Sequence, residues 1–136
     1  MAANSRFAVS VHTLALLAHR KNELVTSENI AASVNTHPVV IRRILQALTQ
    51  KDLVETIPGK NGGSRLARDP SEITLSEVYE AVQCDELFAQ HAKPKNRHCP
   101  VSCNMKTILN DIFETAESAL KQSLGKTSLA DLIKKV

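Results

Sequence analysis

Apolar residues recur at helical spacing in two short segments, residues 27–34 and 38–50, which are separated by the polar break 35–37. The stripe residues are Ile30, Ala31 and Val34 in the first segment and Ile41, Ile44, Leu45 and Leu48 in the second. Thr26 or Ser27 can cap the first helix, and Pro38 suits the first turn of the second, where its missing N–H is not needed. The pattern predicts a helix-turn-helix.

A β-hairpin is predicted directly after the second helix. Residues 54–57 alternate and are β-prone, residues 58–63 form a turn cluster with Asn61-Gly62, and residues 64–67 can return as the partner strand. Such a hairpin after a helix-turn-helix is typical of a winged helix. Lys60, Asn61 and Arg65 would lie exposed on or beside the wing tip, within reach of phosphates or a narrow minor groove.

The second helix carries a polar face opposite its apolar stripe. Its members are Pro38, Val39, Arg42, Arg43, Gln46 and Gln50. The two arginines lie in the N-terminal half, where recognition helices usually contact base edges. Val39 can contact a thymine methyl group or pack internally. Paired arginines and glycine-rich turns are each common on protein surfaces, but their ordered combination points to double-stranded DNA.

The distribution of charged residues between the two halves of the chain agrees with a DNA-binding N-terminal half. Residues 1–68 hold nine lysines and arginines against four acidic residues, whereas residues 69–136 hold eight against ten. The overall net charge of +3 therefore comes from the predicted DNA-binding half. No apolar run approaches the length of a membrane span, and residues 7–18 fit a first helix better than a signal peptide. We expect a cytoplasmic protein.

The C-terminal half predicts three more helices. A short one begins at Thr74 or Ser76 and ends at Val82. A long one, from about Met105 to Leu124, has an apolar stripe of about five turns, which we interpret as a dimerisation surface, with an intrachain core helix as the alternative. After Gly125, Thr127 or Ser128 caps a last helix. The apolar face of this last helix, Leu129, Leu132 and Ile133, would pack on the DNA-binding domain or on the partner.

The predicted fold is thus mainly α with a small β-hairpin wing. Residues 1–68 would form the winged helix-turn-helix domain, residues 69–104 a connecting helix and cysteine-containing loop, and residues 105–136 the dimerisation helix and C-terminal helix. A two-fold dimer would present two recognition helices to half-sites about one turn of DNA apart.

Several segments resemble the Rrf-two family of winged-helix repressors. They are residues 5–9, 38–53 and 59–67, the Asp69-Pro70 pair, Ile73-Thr74-Leu75 and residues 78–82. The resemblance spans nearly the whole chain and implies a homodimer that binds an operator with inverted half-sites. With it, the candidate DNA-binding residues are Ser5, Arg6, Thr26, Ser27, His37, Pro38, Val39, Arg42, Arg43, Gln46, Lys60, Asn61 and Arg65.

The cysteines depart from part of the family pattern. Cluster-binding members carry three closely spaced cysteines, whereas Cys84 here lies fifteen positions before Cys99, and Cys103 follows four residues later. Some cluster-free members resemble this chain in keeping the Cys-Pro-Val segment at Cys99. If the long helix begins at Pro100, Cys99 caps it and Cys103 lies in its first turn, where the helix dipole, Arg97 and His98 favour a thiolate.

We therefore predict redox sensing through Cys99 and Cys103, and no resident cofactor. An iron-sulfur cluster, ordinary reduced thiols, and zinc held by His91, His98, Cys99 and Cys103 are the alternatives, with Cys84 as a small core residue. No catalytic constellation or phosphate-binding glycine motif is present, so we do not expect an enzyme. A winged helix that binds only protein is the rival function, and steep salt dependence of DNA binding distinguishes the two.

Overall fold

The computed structural model describes residues 5–83 and 87–136. The helices are α1 (Arg6–His19), α2 (Ser27–Val34), α3 (Pro38–Gln50), α4 (Leu75–Val82), α5 (Pro100–Leu124) and α6 (Leu129–Ile133). The strands β1 (Val54–Ile57) and β2 (Gly63–Leu66) form one antiparallel hairpin, and a 3-10 turn occupies Pro70–Glu72. Within the described residues, no helix is long and apolar enough to cross a membrane. The predicted class, mainly α with a β-hairpin wing, is confirmed.

The helix-turn-helix forms where the polar break was predicted. Thr26 caps α2, because its hydroxyl accepts a hydrogen bond from the Asn29 N–H at 3.2 Å. Asn35 ends the helix in the left-handed region, with φ 68°. His37 then caps α3, its Nδ1 accepting from the Val39 N–H, and Pro38 occupies the first turn. The four predicted stripe residues of α3 are all buried, which fixes the opposite face outward.

In the wing, Val54 pairs with Leu66 at the base and Ile57 pairs with Gly63 near the tip. The strand β2 therefore begins at Gly63, one residue before the start at position 64 that the sequence predicted. Gly63 permits a close backbone approach, because a Cβ there would lie 2.9 Å from backbone atoms of Leu24 and Val25. Val25 and Ser64 exchange both backbone hydrogen bonds at 2.9 Å. The hairpin is thereby attached to the segment that leads into α2.

One hydrophobic core joins these elements to the C-terminal helices. α1 packs against α4 and α6, and Leu14, Val78 and Leu129 are fully buried within the same cluster. The Leu129 N–H donates to the Ile73 carbonyl at 2.9 Å, and the Leu75 N–H donates to the Thr127 carbonyl at 3.0 Å. Of the two predicted locations for α6, the structure has the intrachain one: α6 packs on its own DNA-binding half.

Both short helices of this half begin with reciprocal caps. Thr74 accepts from the Glu77 N–H while the Glu77 carboxylate accepts from the Thr74 N–H, and Ser128 and Asp131 repeat the arrangement at α6. Thr74 and Ser128 are therefore the caps among the predicted alternatives.

α5 differs from the other long helices in having no buried residue. It begins at Pro100, five residues before the start at Met105 that the stripe predicted. Its contacts include the stacked rings of Phe88 and Phe113, 5.0 Å apart, and an ion pair between Lys121 and Glu80 on α4 at 3.6 Å. On another part of its surface, Val101, Ile108 and Ile112 are exposed. Within the described residues, these three apolar side chains are thus left about half exposed or more.

Candidate nucleic-acid interface

A cleft of about 670 Å³ lies between the N-terminus of α2, the outer side of α3 and the wing. We call it the α3–wing cleft. Of the predicted DNA-binding residues, the structure brings Thr26, Ser27, Arg42 and Gln46 together in its lining. Gln50, which the sequence placed on the polar face of α3, also lines the cleft, and so do Thr49 and Thr56, for which the sequence predicted no DNA contact. Periodicity could not have indicated Thr56, because its position depends on how the hairpin folds against α3.

The N-terminal half of α3 presents further predicted residues outside this lining. Arg43 is exposed, and within the described part of the chain it makes no ion pair. Val39 is 40% exposed, so of the two interpretations open for it, an outward position is the one found. His37 and Pro38 start the helix, and the His37 ring is engaged with the Val39 N–H. This end of α3 is therefore accessible for base contacts.

The wing tip presents Lys60 and Asn61 to solvent. Asn61 adopts a left-handed conformation with φ 72°, and Gly59 lies at φ 98°. The Gly62 N–H donates to the Gly59 carbonyl at 3.1 Å, which closes the turn. A side chain at Gly62 would overlap the Ile57 carbonyl oxygen. The tip is thus a tight turn that holds one lysine away from the body of the domain.

Arg65 does not lie where the sequence placed it. It sits in the middle of β2 opposite Glu55, with Arg65 Nη2 and Glu55 Oε1 3.2 Å apart. Because successive strand side chains alternate, these two face away from the side on which Thr56 and Ser64 meet the α3–wing cleft. Arg65 instead borders a separate cavity of about 510 Å³ with Lys21 and Lys134.

Ser5 and Arg6 begin α1, and neither lines the α3–wing cleft. The resemblance alone had indicated these two residues. In the structure they start the helix that runs beneath the wing, since α1 packs against β2.

The α3–wing cleft also contains an acidic residue. Glu28, in the first turn of α2, lies 3.1 Å from Arg42 through Oε1 and Nη2, and both side chains are more than half exposed. By itself, an acid in the first turn of a helix is explained by its favourable interaction with the helix dipole. The contact of Glu28 with Arg42 spans fourteen residues and becomes visible only after α2 and α3 pack.

The ion pair between Arg68 and Glu77 anchors the base of the wing. Arg68 Nη1 and Glu77 Oε2 are 2.6 Å apart, which links the residue after β2 to the first turn of α4. The hydrogen bond from Arg68 lowers the pKa of the Glu77 carboxyl group from its ordinary value, and the Thr74 N–H acts in the same direction. This pair therefore couples the wing to the body of the domain.

The cysteine loop is folded against the start of α5. Cys99 is the N-cap and its carbonyl accepts from the Cys103 N–H at 3.0 Å. The Cys103 thiol donates weakly to the carbonyls of Asn96 and Arg97, at 3.5 and 3.7 Å. Both thiols are half-buried and unbonded to one another. The prediction for Cys84 falls outside the described residues.

The cysteine loop lacks the ligand set of a metal or cluster site among the described residues. Across residues 5–83 and 87–136, no three side chains from histidine, cysteine, aspartate or glutamate lie close enough together to bind one ion. His91, His98, Cys99 and Cys103 are thus not gathered into a zinc site. The described residues supply the thiols of Cys99 and Cys103 but no third ligand beside them, so they do not form an iron or cluster site by themselves.

Comparison with known proteins agrees with this geometry. Residues 3–135 match the Rrf2 family, described as iron-dependent transcriptional regulators. YwnA of Bacillus subtilis is 43% identical over 131 residues, 96% of each chain. NsrR of Bacillus licheniformis, an HTH-type transcriptional regulator, is 32% identical over 127 residues, 91% of this chain and 86% of that protein. The structure of CymR from B. subtilis shares the fold, with a TM-score of 0.72, 17% identity, and coverage of 100% and 98%.

Proposed function

Because the chain belongs to the Rrf2 family of DNA-binding transcriptional regulators, we propose that it is a homodimeric repressor whose α3–wing cleft binds the operator. The observation that carries this proposal is the common orientation of Arg42, Gln46 and the wing around one cleft. The protein is a regulator rather than an enzyme, as its relatives are. We place it in the cytoplasm, where chromosomal DNA is accessible.

The DNA-binding residues divide by the contact each can make. Arg42, Arg43 and Gln46 would read base edges in the major groove from α3. Lys60, on the wing tip, would approach a phosphate or the minor groove. Thr26 and Ser27 lie at the N-terminus of α2, where hydroxyl and N–H groups suit a phosphate oxygen.

The dimer would form on α5. Its exposed residues Val101, Ile108 and Ile112 are spaced by seven and four positions, which places them along one helical stripe. Accordingly, we propose residues 1–68 as the DNA-binding unit, 69–104 as the connecting unit and 105–136 as the dimerisation unit, with α6 returning to the first. A two-fold dimer then reads inverted half-sites.

Site selection from random DNA duplexes, followed by binding measurements over a salt series, tests the operator function. We expect a selected sequence to bind roughly 10³-fold or more tightly than a shuffled duplex, with affinity falling steeply as salt rises. Failure to enrich any sequence would favour the rival function, a winged helix that binds protein. A reporter gene behind the selected site checks repression, since a repressor lowers its expression.

We also propose that Cys99 and Cys103 sense hydrogen peroxide. Peroxide would transfer one oxygen atom to the Cys99 sulfur as its O–O bond breaks, giving a sulfenic acid and water. Attack by the Cys103 sulfur would form the disulfide and release a second water. Because the disulfide has no thiol proton, Cys103 would no longer donate to the Asn96 and Arg97 carbonyls. The loop would therefore lose two weak hydrogen bonds to α5. Because this loop adjoins the start of α5, its rearrangement would shift the proposed dimer helix.

Cysteine variants separate the steps of this proposal. Operator affinity of the unmodified protein should change with peroxide and return with dithiothreitol. Cys99→Ser should abolish the response, whereas Cys103→Ser should stop at a sulfenic acid that dimedone traps. A response that persists in Cys99→Ser would place the sensor elsewhere. Brown, iron-containing protein after anaerobic purification would instead support a cluster-sensing regulator.

A further inference from the structure

The α3–wing cleft contains a carboxylate where a DNA-binding surface would be expected to be neutral or basic. Glu28 is 64% exposed and lies beside Thr26 and Ser27 at the N-terminus of α2. In helix-turn-helix complexes the helix before the recognition helix crosses the DNA backbone. An acidic group at that end repels phosphate, so it opposes the sequence-independent part of binding.

The partner of Glu28 is a residue of the recognition helix. Its Oε1 accepts a hydrogen bond from Nη2 of Arg42 at 3.1 Å, across fourteen residues of sequence. A free arginine in such a cleft can swing to whichever phosphate is nearest. One held by a carboxylate keeps its orientation and still has N–H donors left for guanine O6 and N7.

From this arrangement we propose that Glu28 is a positioning residue that sets sequence specificity through Arg42. It holds the guanidinium toward the base edges and lowers affinity for phosphates in general. The inference rests on the proposed operator surface, and it goes further by assigning a specificity role to an acid within that surface.

The Arg42–Glu28 pair contributes little to the stability of the fold. Both side chains are largely solvated, at 55% exposure for Arg42 and 64% for Glu28, and exposed ion pairs contribute little to stability. The chain offers a matched control in Glu55, which pairs with Arg65 at 3.2 Å and is 50% exposed. That second pair lies on the face of the wing turned away from the α3–wing cleft.

The test compares Glu28→Gln with Glu55→Gln on two duplexes, a site selected with the unmodified protein and a shuffled sequence of equal length. We expect Glu28→Gln to bind the shuffled duplex more tightly, with a salt slope steeper by up to about one. The ratio of the two affinities should fall by roughly fivefold or more, as expected when a bidentate base contact is loosened. Glu55→Gln should leave the ratio unchanged.

Two further measurements separate positioning from simple charge. If Glu28 acts through Arg42, adding Glu28→Gln to Arg42→Ala should leave the remaining base preference unchanged. Equal tightening on both duplexes, or an unchanged ratio, would overturn the proposal. Melting temperatures near that of the unmodified protein would exclude a folding effect. Loss of selective binding by the unmodified protein itself would reject the operator function instead, so the two failures are distinguishable.

Discussion

Replacing Ile112 by alanine should weaken the homodimer without unfolding the subunit. The side chain lies on α5 and is 54% exposed, and α5 contributes no buried residue to the intrachain core. Within the described residues, about half of Ile112 has no intrachain cover, so we expect a second chain to bury that half. The neighbouring residues Val101 and Ile108 are 61% and 49% exposed, so the same reasoning extends along the stripe.

The size of the effect follows from the area that is still exposed. Full burial of an isoleucine side chain is worth about 1.5–3 kcal/mol, so covering the exposed half of Ile112 would give roughly 0.8–1.5 kcal/mol per subunit. A two-fold interface contains the residue twice, which doubles the loss to roughly 1.5–3 kcal/mol. At about 1.4 kcal/mol for each factor of ten, the dimer dissociation constant should rise roughly 10- to 100-fold.

Sedimentation equilibrium over a range of protein concentrations measures that constant directly. Ile57→Ala is the matched control, because Ile57 is also a partly exposed isoleucine, at 36%, but lies in the wing. It should dimerise as the unmodified protein does. An Ile112→Ala protein with an unchanged dissociation constant, or an unmodified protein that stays monomeric at micromolar concentrations, would refute the assignment of α5 to the interface.

Four further outcomes are expected. Arg43→Ala should cost about 1–3 kcal/mol of operator affinity and make binding less selective for the operator sequence. Lys60→Ala should lower the affinity for all duplexes alike and reduce the salt slope by about one. Competition binding with operator and shuffled duplexes distinguishes these two patterns. Gly62→Ala should lower DNA affinity because its Cβ would displace the turn, while circular dichroism shows retained helices. Because Arg68 lowers the folded-state pKa of Glu77, their pair stabilises the protein above about pH 4.3 and loses that effect in acid. Urea unfolding should show the deficit of Arg68→Met shrinking as the pH falls from neutral through the ordinary titration range of glutamate, and a constant deficit would contradict this.

The sequence predicted the elements whose signals are local. The apolar period of α3 identified its core face, and the cap at Thr26 and the turn at Asn61-Gly62 follow from backbone requirements that neighbouring residues satisfy. The start of α5 was less predictable. Its first turn is joined to the preceding loop, where the Asn96 N–H donates to the Ser102 hydroxyl at 2.8 Å, and this contact lies outside the stripe that begins at Met105. Only the Cys99 cap and Pro100 indicated the earlier start.

Charge placement shows why the candidate site could be predicted only in part. Arg42 and Arg65 look equivalent in the sequence, since both are cations near predicted DNA-contacting elements, yet their glutamate partners lie on different faces of the domain. Glu28 joins Arg42 inside the α3–wing cleft, whereas Glu55 joins Arg65 on the opposite face. Helical packing decides the first pairing and strand register decides the second, and neither is a local property of the chain. The specificity of this regulator therefore depends on an acidic residue that net charge would have counted against DNA binding.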